Sequence, residues 1–138
     1  MSNSPIFKND LCKCVFVDKK YYIFHFVSSS PTDEDLQGFT DFLVEIFKNP
    51  SNTKIGIIYK FHKICIMMPR QMKIIMEGLN SVEDEMECRL IASAVIIDNI
   101  CIRTLVGLIT SLLSKKKPVD FFNTVDKGID FIESHSKT

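Results

Sequence analysis

A nearly unbroken apolar run, LIASAVIIDNICI at Leu90–Ile102, constrains the fold of this 138-residue chain more than any other stretch. Both alternating sets of its side chains are apolar, which is typical of a strand covered on both faces. Asp98 and Asn99 end the run, and either side chain can cap a following helix by accepting from its first-turn N–H groups. We therefore predict a sheet with Ala92–Ile97 at its middle and helices on both faces.

Periodicity and turn residues place the other elements around this strand. Apolar, β-rich runs predict strands at Cys12–Asp18, Tyr21–Ser28, Lys54–Tyr59 and Val119–Asn123. Apolar residues at three- and four-residue steps predict helices that begin near Thr32, Pro69, Ile102 and Thr124. The order is ββαβαβαβα, with crossovers long enough for parallel strands. We predict a single α/β domain at 11–135 with a mixed, mostly parallel sheet, after a flexible segment at 1–10 and before a tail at 136–138.

Charge and hydropathy exclude several classes of protein. Seventeen basic and seventeen acidic residues give a formal net charge of zero, so nothing global attracts nucleic acid or an anionic membrane. No apolar run approaches the roughly 18 residues of a transmembrane helix. Met1–Asp10 lacks the basic start and apolar middle of a secretory signal. We expect a cytoplasmic protein without a nucleic-acid partner or a transmembrane segment.

The cysteines and the absence of catalytic motifs argue against an enzyme. An odd number of cysteines in mostly apolar segments favours reduced, buried thiols; they are Cys12, Cys14, Cys65, Cys88 and Cys101. Cys65 follows His62 by three residues, as in an activated nucleophile, but it is enclosed by two isoleucines. Cys12 and Cys14 with His62 would make an incomplete zinc site. No glycine-rich phosphate loop, HExxH, GxSxG or CxxC is present, and we expect no catalytic residue, metal or cofactor.

Two stretches carry a family resemblance, SAVIIDNICIRTLVGLI and the ending KKPVDFFNTVDKGIDFI. Together with the element order, they resemble the STAS domain, and especially its SpoIIAA-like branch, over about Cys12–His135. The resemblance implies a binding module whose loop after the third strand, and the helix beyond it, meet a partner or a small apolar ligand. SpoIIAA-type antagonists carry a phosphorylatable Ser or Thr there, whereas Tyr59–Pro69 contains neither.

The same segment holds the candidate binding site. It mixes cationic or polar groups with apolar ones, as protein interfaces do; the candidates are Lys60, Phe61, His62, Lys63, Met67, Met68 and Arg70. The alternative is a core strand with a solvated basic edge, although Lys63 would interrupt its apolar face. A second candidate is the small, weakly polar helix face of Arg103, Gly107 and Thr110, which suits contact with another helix or subunit.

Three functions follow in order of preference. The first is a non-enzymatic, STAS-like interaction or regulatory module that binds a protein partner or forms a homodimer. The second is a carrier or sensor of a lipid or other apolar small molecule, which the Met and Phe content of Phe61–Met76 supports. The third is a Cys/His-dependent enzyme that uses Cys65 or His62.

Overall fold

A computed structural model describes residues 4–97 and 117–136, which form one α/β unit. Within this part there are six strands: β1 (Phe7–Lys8), β2 (Cys12–Val17), β3 (Tyr21–Phe26), β4 (Ile55–Phe61), β5 (Leu90–Ile96) and β6 (Val119–Phe122). There are four helices: α1 (Asp33–Lys48), α2 (Pro69–Asn80), α3 (Glu83–Arg89) and α4 (Val125–Ser136). None of the described helices is long and apolar enough to cross a membrane.

The strands form one sheet in the order β1-β2-β3-β4-β5-β6. β1–β2 and β2–β3 are antiparallel, while the three pairings from β3 to β6 are parallel. The sheet is therefore mixed rather than mostly parallel, because the N-terminal strands meander before the crossovers begin. Every residue of β5 is buried, which confirms an internal strand. It is not the middle one, since β3 and β4 hold that place among the described strands.

Alternating side chains divide the core into two clusters, one on each face of the sheet. Tyr22, Phe24 and Phe26 face α1 and α2, and Phe24 packs edge-on against Phe39 of α1 with 5.1 Å between ring centroids. Tyr21 and Ile23 lie on the opposite face, where Ile132 of α4 is fully buried. We call the first the α1 face and the second the α4 face. Helices on both faces are confirmed.

Helix α1 begins where local signals place it. The Thr32 hydroxyl accepts a hydrogen bond from the Asp35 N–H at 3.1 Å, which caps the first turn. The predicted stripe is buried: Leu36, Phe39, Leu43, Ile46 and Phe47. Helix α2 packs so closely on α1 that a Cβ on Gly78 would collide with Thr40.

Two elements were not predicted. Phe7 and Lys8, in the segment expected to be flexible, pair with β2 as β1. Helix α3 begins with three acidic residues, and it buries none of its own residues. The helix predicted from Ile102, with the candidate interface of Arg103, Gly107 and Thr110, lies outside the described residues.

Candidate functional site: the carboxyl edge of the sheet

The segment between β4 and α2 is a loop. β4 ends at Phe61, and residues 62–68 are neither helix nor strand. The loop runs beside the chain that follows β3: the His62 N–H donates to the Phe26 carbonyl at 3.0 Å, and the Ile66 N–H donates to the Ser29 carbonyl at 2.9 Å. The segment therefore does not continue as a core strand beyond Phe61 but forms a loop at the carboxyl ends of the parallel strands.

Buried side chains attach this loop to the core. Phe61 is only 7% exposed and stacks on Phe26, with 4.6 Å between ring centroids. Cys65 is 2% exposed and belongs to the cluster on the α1 face. Phe61 is therefore a core residue and is not exposed for a partner, in contrast to the role that the sequence suggests for it.

The end of the loop is fastened by a polar network at the start of α2. Gln71 is buried; its Oε1 accepts from the Met68 N–H at 2.8 Å, and its Nε2 donates to the Pro31 carbonyl at 2.9 Å. Gln71 also donates to Asp33 at 2.8 Å, and Arg70 pairs with the same carboxylate at 3.3 Å. These two partners, Gln71 first, lower the pKa of Asp33. Arg70 thus forms an exposed ion pair with Asp33, while the buried Gln71 holds α2 beside α1.

The outer side of the loop carries exposed apolar side chains. Ile64, Ile66 and Met68 are 38%, 59% and 50% exposed, and they alternate with Cys65 and Met67, which point inward. We call Ile64, Ile66 and Met68 the apolar ridge. The nearby strand extension adds exposed Val27, so four of the five large exposed hydrophobic residues in the described chain lie at this edge. Clustering of this kind marks an interaction surface, whereas scattered exposed residues do not.

Basic side chains flank the ridge. Lys63 is exposed in the loop, and Lys60, the second-last residue of β4, is half-buried. The Nδ1 atom of His25 lies 3.0 Å from Nε2 of His62, and the two imidazole rings stack with centroids 5.3 Å apart. Burial, then His62 and the lysines, lower the pKa of His25 to about 4.

The structure distributes the seven predicted site residues unevenly. Lys60, His62, Lys63, Met68 and Arg70 reach the surface, and Arg70 is paired there with Asp33. Met67 is half-buried against the core, and Phe61 is buried in it. Sequence reasoning missed Val27, Ile66 and His25. The alternation of Ile64, Ile66 and Met68 with Cys65 is a local signal for the ridge, but the 37-residue separation of His25 and His62 offers none.

The thiols have the properties of packed side chains. Cys12, Cys14 and Cys65 are buried, as predicted, whereas Cys88 is exposed; none of the four forms a disulfide within the described residues, and Cys101 lies outside them. Burial raises the pKa of Cys65 to about 11, and burial with the neighbouring Cys65 raises that of Cys12 to about 12. A nucleophilic thiol requires the opposite change. Over residues 4–97 and 117–136, no group of three or more His, Cys, Asp and Glu is arranged to hold a metal ion.

Comparison of the chain with models of known protein families, with curated proteins and with solved structures found no match. The resemblance to the STAS domain stays a prediction.

Proposed function

We propose that this chain is an interaction module, STAS-like in its use of the loop after β4, and that it binds a protein partner through the apolar ridge. The observation that carries the proposal is the alternation within residues 64–68. Cys65 and Met67 point inward while Ile64, Ile66 and Met68 point outward. The inward side chains hold the backbone in place, so the loop loses little conformational entropy when a partner covers the ridge.

The chemistry of the ridge defines the partner. Complete burial of one Ile or Met side chain contributes about 1.5–3 kcal/mol, so the ridge favours an apolar groove or helix face. Lys60 and Lys63 flank it, and complementary acidic groups on the partner would orient the complex and speed its formation. We infer a partner with apolar side chains bordered by Asp or Glu.

Photo-cross-linking in the source cells tests the proposal. A photoreactive side chain at Ile66, on the ridge, is compared with one at Glu34, which is exposed on α1. We expect a protein adduct from position 66 and none from 34. Equal adducts from both positions would count against the ridge, and lipid adducts alone at 66 would favour the carrier hypothesis instead.

The partner so identified is then purified and its affinity measured directly. Ile66→Ser should weaken binding at least about tenfold, the change that about 1.4 kcal/mol produces. Ile6→Ser is the matched control, because Ile6 is 50% exposed but lies beside β1, away from the ridge. Equal losses in the two variants, or none in either, would refute binding through the ridge.

A further inference from the structure

A row of bases crosses the α4 face of the sheet at its carboxyl edge. Lys13 of β2 is paired with His25 of β3, and His25 is paired with Lys60 of β4, so the three residues occupy one register across adjacent strands. Paired residues project from the same face of a sheet. They share the face of Tyr21, Ile23 and Ile58, which belong to the core cluster beneath α4.

His62 joins this row from the loop. Its Nε2 lies 3.0 Å from Nδ1 of His25, so one imidazole donates to the other and at least one ring accepts. If both of the facing nitrogens carried a proton, two N–H donors would point at each other. Both rings can carry protons and stay close when an anion accepts hydrogen bonds from them.

Among the described residues, the titratable groups that act on His25 are all bases. They are His62 from the loop, Lys60 from β4 and Lys13 from β2. Each opposes a positive charge on His25, and an anion among them would offset this repulsion.

We propose that Lys13, His25, Lys60 and His62, which we call the His–Lys row, bind a phosphate-type anion. The row lies at the carboxyl ends of parallel strands, which is where open α/β sheets place their ligand sites. Two ammonium groups supply the charge, and the His25 imidazole supplies a directed N–H donor. The row contains none of the ridge residues Ile64, Ile66 and Met68, although it shares Lys60 with the flank of the ridge.

Anion binding at this site is coupled to proton uptake. The anion favours charged His25, so it must raise a pKa that lies at about 4 in the free protein. For an anion of fixed charge, the contribution of His25 to affinity is constant well above the His25 pKa of the complex. This contribution rises by up to about tenfold for each pH unit as the pH falls from that pKa to about 4, the His25 pKa in the free protein.

NMR titration of the three histidines tests the proposal, with inorganic sulfate as the probe, because its charge is constant where histidine titrates. Sodium sulfate, compared with sodium chloride at equal ionic strength, should raise the pKa of His25 by about 1 and shift the His62 resonances. His135, at the end of α4, is the internal control and should not respond. No specific response of His25, or the same response of His135, would overturn the proposal.

Variants and a second probe complete the test. Lys13→Met with Lys60→Met should abolish the sulfate effect on His25, while Lys73→Met on α2 should preserve it; persistence in the double variant would overturn the site.

Inorganic phosphate and phosphatidylcholine vesicles containing phosphatidic acid then distinguish the two sources of this chemistry. A free phosphate group is the ligand if only the soluble anion acts on His25, and a lipid headgroup if the vesicles also bind and lose binding in the double variant.

Discussion

The two ends of the parallel strands use their polar side chains differently. At the amino end, Lys20 and Tyr21 both bond Glu133 of α4, and the Tyr22 hydroxyl donates to Asn52 at 3.1 Å. Asn52 in turn donates to the Ile46 carbonyl at 2.8 Å. These bonds tie the helices to the sheet. At the carboxyl end, four bases lie side by side and the apolar ridge faces outward.

The difference separates polar side chains that stabilise the fold from surface side chains that do not. In the described chain, no buried side-chain nitrogen or oxygen lacks a hydrogen-bond partner, so folding has satisfied its own polar groups. Exposed Ile64, Ile66 and Met68 and adjacent bases add nothing comparable to stability. The proposed binding rests on these features, which lie together at one end of an otherwise well-packed domain.

The largest expected effect comes from Phe61, a carboxyl-end residue that the fold needs. Phe61→Ala should lower the free energy of unfolding by about 3–5 kcal/mol, because it empties the space against Phe26. Chemical denaturation measures this. Ile66→Ser, on the same loop, is the control and should change stability by less than about 0.5 kcal/mol. Comparable losses in both variants would remove the distinction between buried Phe61 and the exposed apolar ridge.

At the amino end, Asn52→Ala should cost about 2 kcal/mol. It leaves the Tyr22 hydroxyl and the Ile46 carbonyl without their partner in a buried setting. Asn80→Ala, at the exposed end of α2, is the matched control and should be nearly neutral. A neutral Asn52→Ala would mean that the amino end is not held by this network.

His25 should make stability depend on pH. Its folded-state pKa of about 4 lies below the ordinary 6.5, so the unfolded chain binds more protons between these values. Its contribution to stability is therefore complete above about pH 6.5 and falls as the pH drops toward 4. Thermal unfolding in a chloride buffer should show a smaller decline for His25→Gln than for wild type over this window. An identical decline would contradict the lowered pKa.

The smallest effect is expected in the hairpin turn at the amino end of β3. Lys20 N–H donates to the Val17 carbonyl at 3.1 Å, and Asp18 and Lys19 have φ of 55° and 53°, as in a type I′ turn. Lys19→Gly removes about 1 kcal/mol of left-handed strain but adds about 0.5 kcal/mol of unfolded-state entropy. We expect a gain of about 0.5 kcal/mol by denaturation, whereas a loss would exclude this turn geometry.

Local signals made part of this structure predictable. The Thr32 cap and the apolar stripe of α1 are close in sequence, and both are confirmed. β1 depends on pairing with a later strand, and α3 carries no apolar stripe, so neither could be inferred. The mixed composition of residues 60–70 predicts a candidate site, which stays a prediction. The sequence has no signal for the end of β4. The direction of the Phe61 side chain depends on that end, so its burial could not be predicted.

Hydrogen–deuterium exchange of the free and partner-saturated protein tests the central claim most directly. The account predicts that the amides of residues 62–68 exchange more slowly in the complex. Those of residues 50–56, at the amino end, should exchange at the same rate in both states. Protection confined to the amino end, with residues 62–68 unchanged, would contradict it.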